Sequence, residues 1–359
     1  MNAHMPTLVP ELVEPLFTPF KVGASLVLKN RIVLAPCTRN RSELDYAPAK
    51  SAINHYASRA AAGLLITEGV VVSQQARGGP ALPGIYTASH VARWAEVTDA
   101  VHARGGLIFA QLWHLGRMAH SFYSGTQAIA PSAVLDDAAR HGERYYDFRH
   151  ELPLEMTDAQ IRETISSFVE AAKNAKTAGF DGIELHAANG YLFDQFLKQH
   201  TNRRCDAWGG SAEKRARFLI EVFDACATVL GADRVGVRLS PADYMSEMVH
   251  TDGDEDGLKV ALAHLHRAAA AYVHTGIEDD SFVPYLRQTA TEFLRANFSG
   301  TLIANGGYSP ASAAQGLRGN KADLYSFGRL FLANSDLVER ISHGKQLVPY
   351  SRAVYDTMR

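Results

Sequence analysis

Residues 157–185 read TDAQIRETISSFVEAAKNAKTAGFDGIEL and place a helix directly before a strand. Thr157 stands at the helix start, apolar residues then recur at helical spacing, and Gly179 supplies a C-cap. The apolar run at 182–185 has the length and composition of a buried strand. This stretch therefore predicts one helix–strand unit of a parallel α/β sheet.

The same alternation recurs along the chain. Strands are predicted at residues 32–35, 64–67, 107–110, 182–185, 235–238, 272–274, 302–304 and 323–326. Helices are predicted between them at residues 88–103, 158–178, 212–230, 257–270 and 310–317. Eight strand–helix pairs predict an α/β fold of the (β/α)8 TIM barrel class, with a doubly wound sheet as the alternative. Residues 114–156 do not continue this alternation of strands and helices. They predict an excursion after the third strand that covers the C-terminal face of the barrel.

Length, charge and cysteine content restrict the domain organisation and the partners. The 359 residues are predicted to form a single domain, with the barrel at about 12–345 and a C-terminal tail at 346–359. The formal net charge is −2 and no basic run occurs, which argues against a nucleic-acid partner. Small-molecule chemistry is the interpretation that this composition favours.

The cysteines and the N-terminal sequence bear on the cellular compartment. Cys37, Cys205 and Cys226 have neither metal-ligand nor CxxC spacing, so no metal site and no disulfide framework is predicted. A reducing cytoplasm is the compartment that fits this pattern. The opening MNAHMPTLVPELVEPLF lacks a signal-peptide pattern, and no apolar run approaches ~18 residues, so we expect neither export nor membrane contact.

Polar and aromatic residues follow the third predicted strand. Gln111 and Trp113 come at its end, where a barrel strand opens into its loop. His114 and Arg117 come next, and we expect these two side chains at the protein surface.

The fourth predicted strand ends in a set of hydrogen-bond donors. His186 and Asn189 are spaced i and i+3, so a helical turn would place both on one face. Two such donors could hold a carbonyl or nitro oxygen as negative charge develops on it, and the Tyr191 phenol could supply a proton. The alternative is a polar cap on a helix N-terminus, with Tyr191 in the core.

The last strands of the predicted barrel end in groups suited to anions. Arg238 ends the fifth strand, and as a buried cation it is expected to face an anion or an electron-rich carbonyl. The seventh and eighth strands lead into glycine loops, where barrels commonly bind phosphate. The residues concerned are Asn305, Gly306, Gly307, Gly328 and Arg329.

Taken together, these stretches resemble the Old Yellow Enzyme family of FMN-dependent ene-reductases, of the N-ethylmaleimide reductase and 12-oxophytodienoate reductase kind. The resemblance covers nearly the whole chain and rests on motifs that occur in order at the predicted strand ends. They are LFTPF at 16–20, NRIVLAPCTR at 30–39, AGLLITEG at 62–69, QLWHLGR at 111–117 and FGRLFLAN at 327–334.

The resemblance implies FMN as cofactor and NADPH or NADH as hydride donor. It implies that ring contacts come from Pro36, Cys37, Thr38 and Gly69, pyrimidine-edge bonds from Gln111 and Arg238, and phosphate contacts from Asn305, Gly306, Gly307, Gly328 and Arg329. It further implies that His186 and Asn189 bind the activating oxygen of the substrate. Tyr191 would then be the proton donor, and Trp113 would line the substrate pocket.

The implied reaction is reduction of small-molecule activated alkenes, including enones, enals, maleimides and nitroalkenes. Hydride would pass from flavin N5 to the alkene with ping-pong kinetics, in a monomer or homodimer. Cys37 is expected to pack in an apolar position, and the tail at 347–355 only weakly matches the aromatic C-terminal segment of the family. The competing interpretations are another phosphate-binding TIM-barrel enzyme and a flavin-binding protein without turnover.

We predict that the purified protein is yellow and carries non-covalent FMN, because two glycine loops and Arg329 suit one terminal phosphate. The measurement is chromatography of the heat-released cofactor against FMN and FAD standards. A colourless protein that cannot be reconstituted with FMN would contradict the cofactor assignment.

Overall fold

The computed structural model describes residues 9–136, 150–242, 248–351 and 353, and its centre is a closed barrel of parallel strands. A hairpin of β1 (Phe20–Val22) and β2 (Leu26–Leu28) precedes the barrel. The barrel strands are β3 (Ile32–Leu34), β4 (Leu64–Val71), β5 (Ile108–Trp113), β8 (Gly182–Ala187), β9 (Val235–Leu239), β10 (Val273–Thr275), β13 (Leu302–Ala304) and β14 (Leu324–Phe327). An antiparallel pair of β11 (Phe282–Val283) and β12 (Gln288–Thr289) lies between β10 and β13 in the chain. Pairing of β14 with β3 closes the ring. All eight predicted strands and the predicted TIM barrel class are confirmed.

In the described residues, helices lie between the barrel strands, and further helices precede the first strand and follow the last. They are α1 (Pro10–Val13), α2 (Ser51–Ala57), α3 (Ala88–His102), α4 (Ser121–Ser124), α5 (Asp158–Thr177), α6 (Leu192–Leu197), α7 (Ala212–Leu230), α8 (Asp254–Arg267), α9 (Ala290–Asn297), α10 (Pro310–Arg318), α11 (Arg329–Ala333) and α12 (Leu337–Ser342). The five predicted helices are present, and Thr157 forms a capping box with Gln160 at the start of α5. Among the helices in the described ranges, none has the length and apolar character that a membrane span requires.

One prediction about a helix boundary was wrong. Helix α8 begins at Asp254 and ends at Arg267, each three residues before the predicted bounds of 257 and 270. The Asp254 carboxylate accepts a hydrogen bond from the Thr251 backbone at 2.9 Å, and acidic side chains fill the first turn. Those carboxylates favour the positive end of the helix dipole, so the helix extends through them to Gly257 and beyond.

The lower end of the barrel is filled by an apolar layer. Phe109 and Tyr272 lie inside it with ring centroids 5.8 Å apart, and both are fully buried. Apolar side chains of the β1–β2 hairpin join the same cluster and cover this end. The polar site residues are therefore confined to the opposite end, where the strands terminate.

The described part of the predicted excursion carries its own small elements. It contains a 3₁₀ turn at Gly116–Met118, helix α4, and the two-stranded pair of β6 (Ile129–Ala130) and β7 (Leu154–Glu155). The Arg117 guanidinium donates to the Leu135 carbonyl at 3.2 Å and contacts Met248 Sδ at 3.5 Å. Met248 follows β9, so the excursion contacts the loop region after that strand. Residues 137–149 of the excursion lie outside the described residues.

We predict that Gly236→Ala destabilises the protein by about 1–3 kcal/mol. A Cβ at this position would overlap the ring of Tyr272, which fills the barrel interior beside it. Urea unfolding of the two proteins measures the difference. Gly257→Ala in α8 is the matched control, because the nearest neighbours of a Cβ there are the Leu197 carbonyl at 3.4 Å and the Arg215 side chain beyond it. This variant should be stabilised by about 0.5–1 kcal/mol. Equal stabilities of the Gly236→Ala variant and the original protein would contradict this account of the barrel interior.

Candidate active site

A cavity of about 500 Å³ opens where the barrel strands end, within the size range of small-molecule sites. Among the predicted site residues, its lining contains Pro36, Cys37, Arg238, Asn305, Gly307, Gly328 and Arg329. The structure thus brings together residues that are almost 300 positions apart in sequence. The lining also contains Glu278, Tyr308, Ser326 and Tyr350, which sequence reasoning missed.

The loop after β13 has a backbone that favours glycine. Gly306 has φ +137° and Gly307 has φ +74°, and a Cβ at Gly306 would lie 2.8 Å from the backbone nitrogen of Asp280. That Asp280 N–H donates to the Gly306 carbonyl at 3.2 Å. A side chain at Gly306 would therefore displace this loop, where phosphate binding is predicted, from the segment around Asp280 that supports it.

Arg329 lies at the outer edge of the cavity. Its guanidinium is 3.4 Å from the carboxylate of Glu278, and both side chains are about half exposed, at 58% and 48%. Solvent therefore screens this ion pair, and the cation stays accessible to an anion that enters the cavity.

Arg238, by contrast, is a buried cation. Only 6% of its surface is exposed, and its hydrogen bonds run to neutral oxygens: Asn305 Oδ1 at 3.3 Å and the Thr275 carbonyl at 3.5 Å. A buried charge bonded to neutral groups favours an electron-rich ligand beside it. This environment suits the ligand expected for Arg238 from the sequence, an anion or an electron-rich carbonyl.

An aromatic cluster lies beside the strand that carries Arg238. His186 pairs in register with Arg238 between β8 and β9. The Tyr191 ring lies 4.9 Å from the His186 ring and 4.7 Å from the Trp113 ring, at steep angles, and all three residues are at least 95% buried. The structure thus places the proposed proton donor against the first proposed oxygen-binding residue.

The conformation predicted for Asn189 was wrong. His186 lies in β8, which ends at Ala187, and Asn189 lies in a turn with φ +63°, so the two residues are not on one face of a helical turn. The Asn189 N–H donates to Ser240 Oγ at 2.8 Å, and that hydroxyl lies 2.8 Å from Asn189 Oδ1. Asparagine tolerates the left-handed region, and a carboxamide oxygen that accepts from Ser240 directs its amide nitrogen the other way. Ser240, which closes this turn, was missed by sequence reasoning.

His186 is a neutral donor. Burial, with the Arg238 charge next in size, holds the pKa of His186 well below its usual value. Within the described part of the chain, its Nδ1 atom has no hydrogen-bond partner. A buried polar atom without a partner is costly, so this atom indicates a place for a ligand or for water.

The segment around Thr38 is fixed by a buried ion pair. The Arg39 guanidinium donates to Glu68 Oε1 at 2.6 and 2.8 Å, and the Arg39 backbone N–H donates to Glu68 Oε2 at 3.1 Å. Next to Glu68 lies Gly69, where a Cβ would overlap the Trp113 ring. Neither Thr38 nor Gly69 lines the cavity, so their predicted contacts with the flavin ring stay predictions.

Gln111 lies one layer below the cavity rim. Its Nε2 atom donates to Glu184 Oε1 at 2.8 Å, and Glu184 also contacts His274, which in turn contacts the cavity residue Ser326. Sequence reasoning missed Glu184. Its spacing of two residues from His186 within one strand was the available signal, because both side chains then point to the same face.

The surface positions predicted for His114 and Arg117 were wrong. His114 is 2% exposed and Arg117 is 0% exposed. The excursion and the loop after β9 contact the Arg117 guanidinium, and the Leu192 N–H donates to the His114 carbonyl at 3.1 Å. His114 Nδ1 accepts the Gly116 N–H at 3.0 Å. Burial lowers the pKa of His114 to about 3, so this side chain is neutral in the folded protein.

Cys37 departs in part from its predicted packing role. It is only partly buried and lines the cavity, and its Sγ would lie 2.9 Å from a Cβ placed at Gly328. Burial raises the pKa of this thiol to about 11, which keeps it protonated at neutral pH. Cys37 thus fills space between the first and last barrel strands without thiolate chemistry.

The tail reaches the cavity despite its weak match to the family. Asn334 holds it at two points, with Nδ2 donating to the Val348 carbonyl and Oδ1 accepting the Val348 N–H, both at 2.9 Å. This attachment places Tyr350 in the cavity lining.

Comparisons with known proteins agree with this geometry. Residues 15–347 match the family described as NADH:flavin oxidoreductase / NADH oxidase. The 12-oxophytodienoate reductase 7 of Oryza sativa subsp. japonica is 38% identical, over 96% of this chain and 91% of the relative. The Old Yellow Enzyme homologue of Zymomonas mobilis has a TM-score of 0.87 and 35% identity, covering 95% of this chain and 96% of that one. Morphinone reductase in complex with tetrahydroNAD has a TM-score of 0.87 and 39% identity, covering 95% and 93%.

We predict that His114→Asn makes stability less sensitive to acid. The folded-state pKa of His114 is about 3 and its ordinary value is 6.5, so the unfolded chain binds the extra proton between these pH values. Stability is therefore lost as pH falls below 6.5, by about 2 kcal/mol at pH 5 from this residue. Asparagine keeps an acceptor for the Gly116 N–H and does not titrate. Urea unfolding at pH 7.5 and pH 5 should show a smaller loss in the variant, and equal losses would contradict the burial of a neutral His114.

Proposed function

The chain belongs to the NADH:flavin oxidoreductase / NADH oxidase family and is an oxidoreductase of the Old Yellow Enzyme type, and we propose that it reduces activated C=C bonds at the expense of NADPH or NADH. The proposed substrates are alkenes conjugated to a carbonyl or nitro group: enones, enals, maleimides and nitroalkenes. The observation that carries the proposal is the buried contact of Tyr191 with His186 and Trp113, one strand away from the cationic cavity residue Arg238.

The relatives support this class of substrate. One is named as a reductase of 12-oxophytodienoate, and another as a morphinone reductase whose structure contains tetrahydroNAD. We propose that the nicotinamide cofactor and the alkene occupy the site in turn, which would give ping-pong kinetics.

The described residues fit FMN, the cofactor of this family. The cavity has the volume for a small-molecule ligand, with a buried cation at Arg238, an accessible cation at Arg329, and a glycine loop between them that admits no Cβ at Gly306. We propose that Arg238 and Gln111 bind the pyrimidine edge. The phosphate would contact Asn305, Gly306, Gly307, Gly328 and Arg329. When bound, FMN supplies the hydride acceptor and donor that connects the two substrates.

His186 and Asn189 are proposed to bind the activating oxygen of the alkene. His186 stays neutral and offers an N–H. Ser240 Oγ lies 2.8 Å from the carboxamide oxygen of Asn189 and 2.8 Å from the Gly276 carbonyl, and it accepts the Asn189 backbone N–H, so Asn189 is held in place. Donors fixed before the substrate arrives stabilise an oxygen on which negative charge develops, without a reorganisation cost. These two residues thus make the β-carbon of the alkene electrophilic.

Tyr191 is proposed to hand a proton to the α-carbon. Its ring is fixed by edge contacts with both Trp113 and His186, so its phenol has a defined position when the substrate oxygen is bound. General acid catalysis of this kind contributes about 10²–10⁴-fold to a rate.

We predict that Tyr191→Phe separates the two halves of the reaction. Bleaching of the protein by NADPH should keep nearly its original rate, since that half requires no proton from the phenol. Recolouring by 2-cyclohexenone should slow by about 10²–10⁴-fold. A nitroalkene should be less affected, because its nitronate product is stable enough to leave and take a proton from water. Anaerobic stopped-flow absorbance measures all three rates.

Tyr86→Phe is the matched control, since Tyr86 packs on His90 away from this cluster and should leave both rates unchanged. Recolouring of Tyr191→Phe at the original rate would remove Tyr191 from the mechanism. Equal slowing of both halves would indicate a damaged cofactor pocket. No alkene-dependent recolouring in the unmodified protein would favour a flavin-binding protein without turnover.

A further inference from the structure

A buried carboxylate lies inside the barrel below the cavity. The Glu184 side chain is 0% exposed, and it projects from β8 on the same face as His186. In register it lies opposite Gln111 on β5. The proposed reaction gives this carboxylate no role, although its burial is costly.

The hydrogen bonds of Glu184 form one continuous chain. Its Oε1 accepts from Gln111 Nε2 at 2.8 Å, and its Oε2 accepts from His274 Nδ1 at 2.8 Å. His274 Nε2 in turn accepts from the Ser326 hydroxyl at 2.8 Å. This chain of hydrogen bonds therefore crosses the barrel from β5 through β8 and β10 to β14. It ends at Ser326, which lines the cavity.

The charge states along this chain are defined by its contacts. Burial raises the pKa of Glu184, but the electrostatic and hydrogen-bond interactions with His274, the Arg238 charge and the hydrogen bond from Gln111 together lower it below its usual value, so Glu184 is a carboxylate. Burial lowers the pKa of His274, so it is neutral and donates from Nδ1. Tyr272 also faces the carboxylate, and burial with the Glu184 charge raises its pKa well above the usual value. One negative charge thus lies among these neutral groups, near the cation Arg238.

From these contacts we infer that Glu184 is a positioning residue that orients the Gln111 amide and lowers the reduction potential of bound FMN. An amide whose nitrogen donates to Glu184 presents its oxygen as an acceptor toward a ligand. Reduced flavin carries negative charge at its pyrimidine edge, and the Glu184 carboxylate offsets part of the stabilisation that Arg238 provides there. The inference rests on the proposed placement of the pyrimidine edge at Gln111 and Arg238.

Glu184→Gln removes the charge and keeps the geometry. The introduced amide oxygen can accept from Gln111, and the introduced amide N–H can donate to His274 Nδ1 if that ring carries its proton on Nε2. Ser326 then accepts from Nε2 and donates to the Ala304 carbonyl, which lies 3.4 Å from its oxygen. We expect oxidised FMN to bind as in the original protein. The preference for reduced over oxidised FMN should rise at least about tenfold, a shift of ~30 mV to more positive potential for a two-electron couple.

Glu184→Asp makes the opposite change, because it keeps the charge and shortens the side chain. Gln111 then loses its 2.8 Å partner, so we expect weaker binding of oxidised FMN, by about tenfold, with the potential near the original value. FMN affinity is measured by fluorescence titration of the apoprotein, and the potential by dye-equilibrated reduction.

Glu278→Gln is the matched control at the same cavity. It also removes one carboxylate, but Glu278 is half exposed beside Arg329, at the end proposed for the phosphate. The phosphate has the same charge in oxidised and reduced FMN. We therefore expect tighter FMN binding and an unchanged potential for this variant.

Equal potentials in Glu184→Gln and the original protein would overturn the inference, as would equal shifts in Glu184→Gln and Glu278→Gln. If Glu184→Gln does not fold, infrared spectroscopy of the original protein labelled with ¹³C-glutamate provides the test. Reduction of FMN must shift a glutamate carboxylate band, and a spectrum without such a shift overturns the inference. Failure of the original protein to bind FMN would instead contradict the proposed function.

Discussion

Closure of the parallel barrel is the constraint on which the site depends. Pairing of β14 with β3 brings the last barrel strand beside the first, with Phe327 in register with Leu34. Because every strand runs in the same direction, all carboxyl ends meet at one rim. Pro36 and Arg329 consequently line one cavity although nearly the whole chain separates them. A break in this ring would divide the site between two distant edges.

The barrel interior is layered, and each layer constrains the next. Phe109 and Tyr272 fill the lower end with apolar rings. Above them, Glu184 is held by hydrogen bonds that satisfy both of its oxygens. A carboxylate in this position is tolerable only because these donors and the cation Arg238 replace the water that it loses. The same cation and the same burial keep His186 neutral, so the charge of one layer determines the chemistry of the layer at the rim.

Local patterns predicted elements well and side-chain environments less well. The caps and apolar periods placed α5 within a residue of its observed end, because these signals act within one or two turns. Asn189 departs from its predicted helical turn because Ser240, 51 residues away, bonds both its backbone and its side chain. His114 and Arg117 are buried and contact residues much later in the chain: Leu192 bonds the His114 carbonyl, and Met248 lies against the Arg117 guanidinium. No pattern around these residues contains that information.

The sequence by itself determined the order of strands and helices, the barrel class, and the positions of the polar groups at the strand ends. These properties follow from periodicity, turn residues and local capping, which depend on neighbours in the chain. Only the tertiary structure decided which of these groups touch, which are charged and which are buried. Glu184 and His274 are 90 residues apart, and Arg238 lies between them in sequence. Their contact in the fold, the nearby Arg238 charge and their removal from water set the protonation states of Glu184 and His274.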